Sequence, residues 1–189
     1  YGMAEAGRDY NTVNIGEYEL HNTVLPPFKA AAAAGVATFM NSFNEIDGIP
    51  STANKMLQRD MLKGEWGWDG FMVSDWGSIG EMMAHGYAKN KKHAAEIALN
   101  AGSDMDMESY AYEEHLENLL KENKISIAQI DDAVKRVLRV KFRLGLFDDP
   151  YKYCDEDREK NDVYTKEHLA LARDVAKKSI VLLKNQNKF

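Results

Sequence analysis

The sequence has 189 residues, is 44% hydrophobic and 29% charged, and carries a formal net charge of −6. This is the make-up of a globular domain with one sizeable core, and its acidic balance argues against nucleic-acid binding, which needs a basic face. Cys154 stands alone, which excludes an internal disulfide and a Cys-based zinc site, and no run of about 18 apolar residues encodes a membrane span.

In chain order, residues 1–14 read as a polar loop carrying Glu5, Arg8 and Asp9. A helix starts after Gly16, with Leu20, Val24 and Leu25 on its apolar stripe, and Pro26 and Pro27 are expected to break it. A second helix over 28–34 stops at Gly35. Residues 36–43, VATFMNSF, read as a strand, and 44–51 as a loop with Asp47-Gly48 and Pro50 as turn residues. Ser51 or Thr52 caps a helix to about Lys63, with Met56, Leu57, Met61 and Leu62 inward. Residues 70–77, GFMVSDWG, form a short buried strand, and 80–85 a helical turn. A helix over 91–100 puts Ala94, Ala95, Ala98 and Leu99 on one face, Gly102 stops it, and 103–107, SDMDM, is a third strand.

The alternation of helices and strands predicts an α/β fold. The last third is helical. One helix covers 112–123; a second, capped by Ser126 and ended by Gly145, turns Ile130, Val134, Val137, Leu138 and Phe142 inward. Residues 148–162 are acidic and aperiodic, a linker or crossing segment. Thr165 caps a final helix, and the apolar run 180–183 either finishes it or opens a strand of another domain. Because residue 1 is Tyr and the chain ends without a closing element, the sequence reads as a piece of something longer.

The chemistry concentrates on carboxylates. The five histidines lack zinc-site spacing, and no Walker, dinucleotide or nucleophile-elbow motif occurs. Phe71, Val73 and Asp75 share one strand face, so Asp75 continues an apolar face to the rim of a core. There an acid can act as nucleophile or proton carrier, and Trp76 beside it offers a flat surface for sugar rings. The local pattern alone favours a plainer role, a strand-ending Asp that caps the next helix. Asp104 and Asp106 share a face and could approach Asp75, or bond backbone and cations as structural acids, the reading preferred here.

GFMVSDWG resembles the nucleophile segment of family 3 glycoside hydrolases of the β-glucosidase type. EAGRDYN (5–11), LPPFKAA (25–31), FMNSFNEIDGIPSTAN (39–54), EWGWDGF (65–71), NAGSDMDM (100–107), RVLRVKFRLGLFDDP (136–150) and KKSIVLLKN (177–185) agree in order and spacing. The resemblance implies the carboxyl-terminal portion of a (β/α)8 barrel over 1–147, then a helical linker and the start of an α/β sandwich domain over 148–189. It implies Asp75 as nucleophile and Arg8 as a sugar-binding arginine. Met40 would line the subsite and Trp76 would be the aromatic after the nucleophile. Phe43 stands where many members have a tyrosine whose hydroxyl contacts the nucleophile.

The family's Lys-His pair would fall just before Tyr1, and its acid/base glutamate comes from the later domain. The implied activity is that of a retaining exo-acting β-glucosidase needing no metal or cofactor. Its partner is a carbohydrate, not nucleic acid or membrane, and its location is periplasmic or secreted. Other parts of the same parent chain would complete the site, so the isolated chain is expected to be inactive. A β-xylosidase or other β-glycosidase, or a non-catalytic carbohydrate-binding fragment, are the alternatives.

Overall fold

The computed structural model describes Tyr10 and residues 12–186. They divide into two compact units, one ending at Phe147 and one starting at Asp148. In chain order the first unit opens with β1 (Thr12–Val13), α1 (Glu17–Glu19), a π-wound turn (Leu20–Val24) and α2 (Leu25–Ala33). β2 (Thr38–Met40), β3 (Glu45–Ile46), β4 (Ile49–Pro50), a 3-10 turn (Ser51–Ala53) and a π-wound helix (Met56–Glu65) follow. β5 (Phe71–Val73), α3 (Ser78–Glu81), α4 (Lys91–Ala101), α5 (Ala111–Lys121) and α6 (Ile127–Arg143) complete it.

β2 and β5 pair in parallel with Phe39 opposite Met72, and a parallel bridge joins Val73 to Met105 on the far side of β5. The three expected parallel segments are therefore present in order, but all three are shorter than read, and β5 ends at Val73, two residues before Asp75. Asn41 N–H makes the last backbone bond of this pairing, to Val73 O at 3.0 Å, and its side chain turns instead to Ser103 Oγ at 2.8 Å. In the 103–107 segment the Asp104 carboxylate, not a backbone carbonyl, takes the Met72 N–H at 2.8 Å. That substitution leaves only the bridge at Met105.

Other expectations need correction. Pro26 and Pro27 do not break the first helix. They sit in the first turn of α2, where their missing N–H groups cost nothing, and the turn before them is π-wound, with Leu25 N–H donating to Leu20 O. Residues 44–51 are a hairpin, not a loop. Ile46 faces Ile49 across a turn whose residues Asp47 (φ 50°) and Gly48 (φ 80°) are both left-handed. β1 extends this sheet by pairing in parallel with β3. The helix after it is capped by Asn54, whose Oδ1 accepts Leu57 N–H at 3.0 Å, not by Ser51 or Thr52. Its wide winding turns Gln58 inward and leaves Met56 exposed.

Ala94, Ala95 and Ala98 of α4 are fully buried against Ile79, Met82 and Leu119, as the small-residue face predicted. A second core gathers Val13, Leu20, Val24, Leu25, Ile46 and Met61. α6 starts at the Ser126 capping box and its C-terminal turn contains left-handed Gly145, both as read. Its inward face differs, because Val134, Leu138 and Phe142 are exposed while Ala133 and Val140 are buried. Arginines explain the rotation. Arg136 donates to Gly70 O at 3.0 Å, Arg139 to Asp69 O at 2.7 Å, and Arg143 grips the Asp69 carboxylate at 2.6 and 3.1 Å.

In the second unit a helix, α7 (Glu156–Asp162), occupies part of the segment read as linker. Asp155 caps it, accepting Asp157 and Arg158 N–H at 3.0 Å. Thr165 caps α8 (Lys166–Ser179) as expected, and 180–183 continue in neither helix nor strand.

Candidate active site

Because the three strand segments run parallel, the residues that follow them emerge at one end of the sheet. Those residues are Asn41 to Phe43 after β2, Ser74 to Gly77 after β5, and Asp106 to Tyr110 after Met105. Carboxyl ends of parallel strands are where α/β folds place ligands.

Asp75 is half-buried at this end. Its Oδ1 accepts the Trp76 N–H at 2.6 Å, and its carbonyl accepts Ser78 N–H at 3.1 Å. No side chain caps α3, so the plainer role of Asp75 as a helix cap does not hold. Trp76 is 64% exposed and Met40 52% exposed, which leaves both apolar surfaces open. Phe43 lies against Tyr10, with ring centroids 4.4 Å apart. Arg8 lies outside the described residues.

The two other acids have structural work. Asp106 accepts Ser109 Oγ–H at 2.6 Å and the Ala111 and Tyr112 N–H groups at 2.8 and 3.1 Å, closing the start of α5. Asp104 is buried with Lys63, whose ammonium reaches both carboxylate oxygens at 2.6 and 2.7 Å and Gly102 O at 2.6 Å. Burial pushes Asp104 up and pulls Lys63 down, and the opposite charge of each partner resists. Through its bond to Met72 N–H, this pair fixes β5 three residues before Asp75.

Sequence reasoning missed the polar layer beneath the site. Ser103 Oγ, fully buried, accepts from Asn41 and donates to Gln58 Oε1 at 3.0 Å, while Gln58 Nε2 donates to Ser51 O at 2.8 Å. It also missed Ser74, fully buried, whose Oγ accepts the Met107 N–H at 2.8 Å. A buried acid demands a cation, so Asp104 was a signal for Lys63; nothing in the pattern singled out Gln58 or Ser74. Chemically, the arrangement presents the Asp75 carboxylate beside an open indole at the strand ends, with no group of three or more metal-binding side chains among the described residues.

Residues 1–140 match the family model described as the glycosyl hydrolase family 3 N terminal domain. The chain is 40% identical over 189 residues to the periplasmic β-glucosidase of Salmonella typhimurium, covering 98% of this chain and 25% of that protein. It is 37% identical to a putative β-xylosidase of Formosa agariphila, covering all of this chain and 25% of that one. Among solved structures, the β-glucosidase of Listeria innocua in complex with glucose superimposes with a TM-score of 0.86 at 44% identity, over 100% of this chain and 26% of that one. The chain spans about a quarter of the length of the curated relatives it matches.

Proposed function

The chain belongs to glycosyl hydrolase family 3, and from that premise we propose that it supplies the nucleophile, Asp75, of a retaining β-glucosidase. The observation that carries this reading is the half-buried Asp75 carboxylate at the carboxyl end of a parallel strand, beside an open tryptophan. In this reading the parallel β2–β5–Met105 array is a portion of a (β/α)8 barrel, and 148–189 lead into a further domain.

The chemistry runs in two displacements. An Asp75 oxygen attacks the anomeric carbon of a terminal glucosyl unit as the glycosidic C–O bond breaks. The departing oxygen takes a proton from a second carboxyl about 5–5.5 Å away, contributed by another part of the parent chain. Water then attacks the anomeric carbon as its bond to the Asp75 oxygen breaks, gives its proton to that second carboxylate, and frees the Asp75 carboxylate. Trp76 and Met40 wall the sugar, and Arg8 binds its hydroxyls. The name of the Salmonella relative supports a periplasmic location, and no helix among the described residues is long and apolar enough to cross a membrane.

β-Xylosidase action is the second reading, favoured by the likeness to a putative β-xylosidase. A slowly released 2-fluoro glucoside tests the proposal on the full-length protein. It should leave a covalent sugar on the peptide containing Asp75, and Asp75→Asn should abolish that label. A label on another carboxylate, or near-normal turnover by Asp75→Asn, refutes it; preferential labelling by the xyloside analogue selects the second reading.

A further inference from the structure

The loop that carries Asp75 is fastened on both sides to one residue, Met107. Before Asp75, the Ser74 Oγ accepts Met107 N–H at 2.8 Å. After it, Gly77 N–H donates to Met107 O at 2.7 Å. Gly77 is left-handed (φ 70°), the conformation that lets the loop turn back to make that second bond. Ser74 N–H separately donates to Met105 O at 2.9 Å, a bond any residue at this position keeps. The hydroxyl is thus not needed to pair the Met105 segment with β5. What it adds is a second fixed point next to Asp75, made by a fully buried side chain.

We infer that Ser74 is a positioning residue for Asp75: its buried hydroxyl, acting through Met107, holds the carboxylate where it attacks the anomeric carbon. The inference rests on the proposed nucleophilic role of Asp75. Ser74→Ala removes the acceptor and leaves the Met107 N–H without a replacement in a part-buried place. The loop then relaxes, and a displacement on the order of 1 Å costs about a hundredfold in rate. Met40 lies on β2, outside this loop, and ground-state sugar binding is less sensitive to the placement of one carboxylate than the attack is, so binding should largely persist.

The test uses the full-length hydrolase and two readouts, the rate constant of covalent labelling by the 2-fluoro glucoside and the affinity for a reversible glucose-like inhibitor. Ser74→Ala should slow labelling about a hundredfold, with inhibitor affinity changed by no more than about threefold. Ser74→Thr, which keeps the oxygen, should recover most of the rate. A folded Ser74→Ala that labels at the unsubstituted rate overturns the inference, as does an equal loss of labelling and affinity. If Ser74→Ala does not fold, Ser74→Cys, close in size but a weak acceptor, should show the same split; full-rate labelling by it overturns the inference. A label away from Asp75 in the unsubstituted enzyme ends both this inference and the nucleophile reading. Labelling at Asp75 with an insensitive Ser74→Ala ends only this one.

Discussion

Replacing Lys63 with methionine tests what anchors β5. The substitution removes an ammonium that sits 2.6 and 2.7 Å from the two Asp104 oxygens. It leaves that buried carboxylate held by the Met72 N–H at 2.8 Å, with no ammonium beside it. Stranding one member of a buried pair costs about 3–5 kcal/mol. At about 1.4 kcal/mol per tenfold, local opening around β5 becomes roughly a hundred to several thousand times more frequent. Amide hydrogen exchange read by mass spectrometry on the peptide containing Met72, corrected for the intrinsic rate at each pH, measures this directly.

The pH dependence has a definite sign. Burial already raises Asp104 above its ordinary value of 3.8, and Lys63 supplies the two strongest opposing influences, so Lys63→Met raises it further. A carboxyl whose folded value is raised stabilises the fold below its unfolded value, near 3.8, and loses that contribution as pH rises through the folded value. The damage should therefore be mild near pH 3.5 and grow as pH rises toward 7. Adding Asp104→Asn to Lys63→Met removes the stranded charge while keeping an acceptor for Met72 N–H, and should slow exchange again by at least about tenfold. Acceleration below tenfold at pH 7, or equal acceleration at both pH values, refutes this account of the pair.

Three further outcomes are expected. Gly70→Ala should destabilise the first unit by more than about 2 kcal/mol, because a Cβ there overlaps Ala37 O and the Trp68 indole; a denaturation midpoint that does not move would show that this turn yields. On the proposed role of Asp75, Phe43→Tyr in the full-length protein offers it a hydroxyl donor, so the acidic limb of the kcat/KM–pH profile should shift to lower pH; an unmoved limb means the hydroxyl does not reach Asp75. The Arg143 hydrogen bond holds Asp69 below its ordinary 3.8, so Arg143→Gln should bring the Asp69 titration, followed by NMR, back up toward that value. The stability this contact adds is present above the unfolded value and fades as pH falls through the lowered folded one, and it is small because both groups are solvent-exposed.

The sequence was most informative where one local pattern decides the outcome. The alanine face of α4, the stop at Gly102, and the caps at Ser126 and Thr165 are each set by residues within a few positions of one another. It was misleading where the deciding partner is distant. The apolar stripe of α6 predicts a face through Leu138 and Phe142, but arginines reaching the carbonyls at 68–70 rotate the helix. Pro26 and Pro27 signal a break, yet a wide turn upstream accommodates them. Asp47-Gly48 was a hairpin signal read too weakly, because its flanking strands are only two residues long. At the candidate site, the place of Asp75 at a strand end was legible from alternation. The bonds that hold it come from Met107, about 30 residues downstream in the chain, and no short-range pattern encodes them.

The parallel pairing also sets a timetable for folding. Met72 lies 33 residues after its partner Phe39, and Met105 lies 32 after Val73. Each strand segment can therefore close only after a helix-bearing stretch of similar length has been made, and each closure carries a similar entropic cost. At about 5–20 residues per second, the ribosome delivers successive partners roughly two to seven seconds apart, while helices form in about a microsecond or less. During synthesis β2 waits for β5, and β5 then waits for Met105, and the short intervening helices gain their stability only as these partners let them pack. The loop bearing Asp75 takes its final shape only when Met107 arrives, so it is the last part of this array to set.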